Sequence, residues 1–159
     1  MTISVGDRLP DAPLTVVTQD GPQQTSSSDY FRGKRVALFA VPGAFTPTCS
    51  ARHLPSYVDK AADLKGKGVD EIACTSVNDP FVMAAWAERD GSPDITMLAD
   101  GNGAFADAVG LAMDGSKFGM GKRSQRYSMI VKDGVVKELN VEQGGEFRVS
   151  AADYMLAQL

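Results

Sequence analysis

RVALFAVPGAFTPTCS, residues 35–50, passes from one kind of structure to another within a few positions. Val36, Ala37, Leu38, Phe39, Ala40 and Val41 form an unbroken apolar run. A strand with one wet face would alternate, so this run predicts a central strand covered on both sides. Pro42, Gly43 and Pro47 then end the run; proline fixes its own φ, and glycine permits unusual backbone angles. From Thr48 to Gly66, Leu54, Tyr57, Val58, Ala61 and Leu64 recur at spacings of three and four, which makes one apolar helical face. Pro55 lies inside that helix and removes a backbone donor, so a bend is expected there. Cys49 thus falls in the first turn of a helix that follows a buried strand. Unpaired backbone N–H groups and the positive end of the helix dipole favour a thiolate at such a place, and the thiolate is the nucleophilic form. Thr46 adds a hydroxyl three residues before the sulfur.

The same reading extends along the chain. VDEIACTSV (69–77) and Ile95 to Leu98 are further buried strands, with a helix between them. Asp79 is the expected N-cap of that helix and Pro80 its first residue, and Phe81, Met83, Ala84 and Trp86 are expected to point inward. Residues 126–131 and 135–141 read as an antiparallel hairpin turning at Asp133–Gly134. Residues 150–159 read as a last short helix, and TSSSD (25–29) as a surface loop. Strand and helix alternation implies right-handed crossovers and a parallel core. With the hairpin added, the expectation is an α/β chain of thioredoxin-like fold, a mixed central sheet flanked by helices, forming one domain over residues 1–159.

Composition narrows the function. The 159 residues carry a net charge of -4, which argues against a partner bound through its phosphate backbone, so no nucleic acid is expected. No apolar stretch approaches the roughly 20 residues that span a bilayer, and MTISVGDRLP has no secretory character. No membrane association and a cytoplasmic location are therefore expected. The chain has 2 cysteines and 1 histidine, too few clustered ligands for a zinc site. In a reducing compartment Cys49 and Cys74 are expected as free thiols.

Pro42, Thr46 and Cys49 spell P-x-x-x-T-x-x-C, and the longer VPGAFTPTCSARHLP resembles the signature of peroxiredoxins of type II, the peroxiredoxin 5-like subfamily. The likeness continues through VDEIACTSVNDPFVMAAW, DGNGAF and RYSMIVKDGVVKELNVE, which covers nearly the whole chain in order. The resemblance implies a thiol-dependent peroxidase acting on hydrogen peroxide and alkyl hydroperoxides without a prosthetic cofactor. Cys49 would be the peroxidatic nucleophile that becomes a sulfenic acid. Thr46 would hydrogen-bond the sulfur and the peroxide, and Pro42 would shield the site from water. Arg126 would stabilise the thiolate and the developing oxygen charge. The backbone at Thr48 and Cys49, with Gly43, would complete the substrate pocket. A homodimer is also implied, with the Ala44–Phe45 loop and the Phe81 to Trp86 helix as contact surfaces.

Other readings of the same residues compete with these. His53, one helical turn beyond Cys49, raises a cysteine-hydrolase pair, but no third orienting residue is indicated; a packing or pocket-shaping role is favoured. Cys74, in mid-strand, reads as a small buried hydrophobe and alternatively as a secondary, resolving thiol. Some relatives carry a resolving cysteine before the last helix, where this chain has Val149 in GGEFRVSAAD. An external thiol, glutathione with glutaredoxin or thioredoxin, would then regenerate the enzyme. GMGKRS (119–124) lacks the spacing of a phosphate loop and reads as a mobile basic loop beside the site, with Arg123 the neighbour to exclude in favour of Arg126. DGNG (100–103) lacks the acidic twelfth residue of a calcium loop, which is Leu111, and reads as a turn. The reading of a different class is a non-catalytic thioredoxin-like module for redox sensing or binding.

Overall fold

The computed structural model describes residues 2–159. Its elements in chain order are β1 (Pro13–Thr18), β2 (Gly21–Ser26), α1 (Ser27–Tyr30), β3 (Arg35–Ala40), α2 (Leu54–Asp59), α3 (Ala61–Gly66), β4 (Glu71–Ser76) and α4 (Pro80–Asp90). There follow β5 (Ile95–Ala99), α5 (Ala104–Val109), β6 (Ala112–Asp114), β7 (Lys122–Ser124), β8 (Tyr127–Lys132), β9 (Val135–Val141) and α6 (Ala152–Gln158). Seven strands form one sheet in the order β2-β1-β5-β4-β3-β8-β9, while β6 and β7 pair apart from it. β3, β4 and β5 run parallel and the outer pairings are antiparallel. This is the mixed, thioredoxin-like sheet expected from the alternation of elements.

β3 sits at the middle of the chemistry because it is covered on both faces. Ala37, Phe39 and Val41 enter a cluster with Tyr57, Leu64, Met83, Trp86 and Met155 from α2, α3, α4 and α6. Val36, Leu38 and Ala40 enter a second cluster with Phe31, Phe105 and Val109. The alternation of a strand sends successive side chains to opposite faces, so a continuous apolar run is what two covering layers require. Phe39 stacks on Tyr57 with ring centroids 4.0 Å apart. Burying each such ring contributes about 1.5–3 kcal/mol, and the stack ties α2 to β3 directly beneath the loop that carries Cys49. The β8–β9 turn has positive φ at both Asp133 and Gly134, the geometry that suits a two-residue hairpin.

Three local expectations are corrected, and one hairpin is added to them. The β1–β2 hairpin was not anticipated, because GPQQTS in β2 has no buried residue and no apolar alternation to detect. TSSSD is not a loop: it ends β2 and opens α1, with Ser26 Oγ accepting from the Asp29 N–H as the N-cap. The helix from Thr48 to Gly66 is not continuous. Residues 47 and 48 are helical, Cys49–His53 form a wider π-turn, and Lys60 separates α2 from α3. Leu54 N–H bonds the Cys49 carbonyl five residues back, and Pro55, next in line, has no N–H to restore the tighter pattern. Phe81 points outward, with 73% of its surface exposed, while Met83 and Trp86 of the same helix are buried.

Candidate active site

The loop between β3 and the π-turn is held by its own backbone. Gly43 carbonyl accepts from Thr46 Oγ1 at 2.7 Å, and Thr46 carbonyl accepts from Ser50 N at 2.9 Å. Asn78 Oδ1 accepts from the Ala44 N–H at 3.0 Å, which pins the loop to the end of β4. Gly43 was expected to supply an unusual backbone angle; the positive φ belongs instead to Phe45, at 66°. Gly43 is closely packed: a Cβ there would lie 3.1 Å from Thr46 Cγ2 and 3.2 Å from Arg123 Nη1, so those side chains would have to give way by a few tenths of an ångström. Pro47 begins the helix where its missing N–H costs nothing, and Cys49 is the third helical residue.

Cys49 is fully buried. Arg126, 77 residues away in sequence, donates from Nη2 to Cys49 Sγ at 3.1 Å. Its other terminal nitrogen, Nη1, lies 2.8 Å from His53 Nδ1. A guanidinium has donors only, so Nδ1 is the acceptor and the ring proton sits on Nε2, which donates to the Ser150 carbonyl at 3.0 Å. Burial, and then the Arg126 charge, push His53 down to about 3, so the ring is neutral at physiological pH. A cysteine–histidine hydrolase pair is thereby disfavoured: the ring nitrogen nearest the chemistry is engaged by Arg126, and the sulfur's partner is the guanidinium.

The outer wall of the site is the segment after β9. Glu142 Oε2 accepts from Arg148 N at 2.7 Å, Ser150 N at 2.8 Å and Ser150 Oγ at 2.6 Å. Burial pushes the Glu142 carboxyl up, but those donors more than offset it and hold it below its ordinary value. Tyr57 Oη also donates to the Ser150 carbonyl, at 2.8 Å, and Phe147 lies against His53 with centroids 4.9 Å apart. Sequence reasoning singled out neither Glu142 nor Asn78, each an ordinary polar residue beside a strand end, and read Ser150 only as the cap-like start of the last helix; that helix is instead capped at Ala151, and the Ser150 hydroxyl is given to Glu142. A cleft of about 620 Å³ opens onto Arg126, lined by Pro42, Met113, Phe118 and Glu142 among others.

The candidates do not all converge. Pro42 and Arg126 line the cleft. The Thr46 hydroxyl is turned to Gly43 and not to the sulfur, and Thr48 lies half-buried beside Cys49. Arg123 is occupied elsewhere, donating to the Met120 carbonyl at 2.9 Å and the Val77 carbonyl at 3.3 Å. The segment read as a mobile basic loop contains β7, paired with β6, and this ribbon leads directly into Arg126. DGNG is a turn in which Asp100 accepts from Phe105 N and Ala106 N. Cys74 lies opposite Phe39 on β4, fully buried; burial, and then the proximity of Cys49, push its thiol well up. Both cysteines are free.

Comparison with known proteins agrees with this geometry. The redoxin family model matches residues 4–156. The chain is 46% identical to peroxiredoxin-2B of Arabidopsis thaliana, covering 99% of this chain and 98% of that one. It is 51% identical to the chloroplastic peroxiredoxin-2E-2 of Oryza sativa subsp. japonica, over 99% of this chain and 73% of the relative. Reduced Prx3 of Vibrio vulnificus, solved in complex with hydrogen peroxide, superimposes with a TM-score of 0.95 at 52% identity, covering 99% of both chains. A thiol held against a guanidinium at the mouth of a helix, on a thioredoxin-like sheet and within a sequence of this likeness, places the chain in the redoxin family, among the peroxiredoxins.

Proposed function

We propose that this thiol-dependent peroxidase reduces hydrogen peroxide and alkyl hydroperoxides at Cys49. The observation that carries the assignment is the 3.1 Å contact between Arg126 Nη2 and Cys49 Sγ: a fixed positive fork beside the sulfur stabilises the charge that develops as the O–O bond breaks. The thiolate attacks one peroxide oxygen, an S–O bond forms as the O–O bond breaks, and the departing oxygen takes a proton to leave as water or an alcohol. Cys49 becomes a sulfenic acid. Pro42 limits water access, and the first-turn N–H groups at Thr48 and Cys49 orient the peroxide beside Gly43. Thr46 contributes its hydroxyl once the hydrogen bond to Gly43 exchanges. The cleft at Arg126 has room for an alkyl tail.

Regeneration uses an external thiol, because Val149 is not a thiol and Cys74 is buried and unpaired. One thiol condenses with the sulfenic acid, releasing water and forming a mixed disulfide; a second thiol displaces Cys49. Glutathione with glutaredoxin, or thioredoxin, fits this cycle, and no prosthetic group enters it. Residues 1–159 act as one catalytic domain, in a reducing compartment such as the cytoplasm. A homodimer forms through the Ala44–Phe45 loop and the start of α4, where Phe45 and Phe81 are 41% and 73% exposed.

Titration tests the assignment. One equivalent of hydrogen peroxide should consume the single fast-reacting thiol of the wild-type protein and leave Cys49→Ser without peroxide turnover. Retention of that fast thiol after the equivalent is added would favour a non-catalytic redox-sensing or binding module.

A further inference from the structure

Five hydrogen bonds close a ring through Arg126. Its backbone carbonyl accepts from Glu142 N at 3.0 Å; Glu142 Oε2 holds Ser150 N at 2.8 Å and Ser150 Oγ at 2.6 Å. Ser150 carbonyl takes the His53 Nε2 proton at 3.0 Å, and His53 Nδ1 takes the Arg126 Nη1 proton at 2.8 Å. The residue that holds the main chain of Arg126 therefore also holds, through the 143–150 segment, the partner of its side chain.

We propose that Glu142 is a positioning residue that keeps the Arg126 guanidinium on Cys49, acting through Ser150 and the tautomer of His53. The proposal rests on the peroxidase reading of Cys49. The physical requirement is donor and acceptor matching. Arg126 can be held only by a ring nitrogen without a proton, and a neutral imidazole has one such nitrogen. Which nitrogen it is depends on the hydrogen bond made by the other. The Ser150 carbonyl supplies that bond from one side. The peptide that carries this carbonyl is fixed because both the N–H and the hydroxyl of Ser150 point into a single carboxylate oxygen, and the neighbouring Arg148 N–H joins them at 2.7 Å. Without Glu142, three buried or half-buried donors lose their acceptor, the segment shifts to satisfy them elsewhere, and the ring can place its proton on Nδ1, facing the guanidinium. Arg126 would then lose the second of its two anchors and leave the sulfur part of the time. In this chain the segment that carries a resolving thiol in some relatives has none, and its contribution is to aim the arginine.

His53 is the only histidine, so its ring nitrogens give unambiguous ¹⁵N signals. The test measures those signals together with the rate constant for oxidation of Cys49 by hydrogen peroxide, in wild type, Glu142→Ala, Arg126→Ala and the double variant, with Glu142→Leu as a volume-matched second choice. Wild type should show one tautomer with the proton on Nε2. Glu142→Ala should show the two forms in exchange and a slowing on the order of tenfold, which should shrink to less than about twofold in the Arg126→Ala background. Glu142→Gln, which keeps an acceptor oxygen, should retain the single tautomer. Equal slowing in both backgrounds, or an unchanged tautomer in the Ala and Leu variants, would overturn the proposal. A wild-type Cys49 inert to peroxide would instead overturn the peroxidase reading, while the ring signals would still report on the clamp.

Discussion

Cys49 and Cys74 are both fully buried and both border the same hydrophobic cluster, yet only one has the surroundings of a nucleophile. Cys74 lies in the middle of β4, paired on one side with β3 and on the other with β5, opposite Phe39 and Met97. Its thiol is pushed well up by burial and by the neighbouring sulfur, and the Arg126 charge opposes this only as the smallest of the three influences. Cys49 lies at a helix start, with a guanidinium nitrogen 3.1 Å from its sulfur. Burial alone favours the uncharged form of a thiol. What separates the two cysteines is the arrival of one arginine from the residue that precedes β8, and the place of Cys49 in a first helical turn.

The largest way to break this contrast is to remove the arginine. Arg126→Ala should slow oxidation of Cys49 by roughly 10²–10³-fold, the cost of losing one preorganised charge at a reacting centre, read by stopped-flow loss of the thiol. A rate within tenfold of wild type would place the source of reactivity elsewhere, in the helix turn alone.

A second test uses pH, since the Cys49 side holds a buried histidine and the Cys74 side does not. His53 is held down to about 3 in the folded protein, against about 6.5 in an unfolded chain. A lowered value means that the unfolded chain binds the proton first. The neutral ring's contribution is therefore complete above about pH 6.5, declines as pH falls toward 3 and is gone below it, at up to about 1.4 kcal/mol per pH unit. Urea unfolding at pH 7, 6 and 5 should show this decline in wild type and a flatter profile in His53→Gln. Equal slopes above the carboxylate range would show that the ring is not held neutral by the fold.

The smallest effect sharpens the comparison from the other side. Cys74→Ser should leave the rate of the first oxidation within about twofold, because the two sites share no hydrogen bond, and should lower stability by about 1–2 kcal/mol, the cost of an unpaired hydroxyl in an apolar strand. Peroxide consumption and denaturant midpoints measure the two parts. Loss of the first oxidation step in this variant would reverse the assignment of the nucleophile.

How far the residues alone reach follows from the range of the forces involved. The buried strand before Cys49, the helix after it, the Asp133–Gly134 turn and the N-cap at Asp79 were all legible, because each is decided by neighbours within a few positions: side-chain periodicity, positive φ, or a carboxylate accepting from N–H groups two and three residues on. The β1–β2 hairpin was not, since its outer strand is polar and is a strand only because β1 pairs with it. The π-turn was visible as a disturbance at Pro55 but not as a widened turn.

The sequence by itself determined which sulfur stands at a helix mouth and which residues could build a thiol peroxidase around it. Tertiary structure decided how Arg126, which the resemblance had already separated from Arg123, reaches that sulfur, that His53 serves the arginine rather than the cysteine, and that Glu142 closes a ring behind them. The reason is physical: β8 is carried next to β3 by the order of the sheet, and hydrogen bonds spanning 73 to 97 residues exist only once that order has formed.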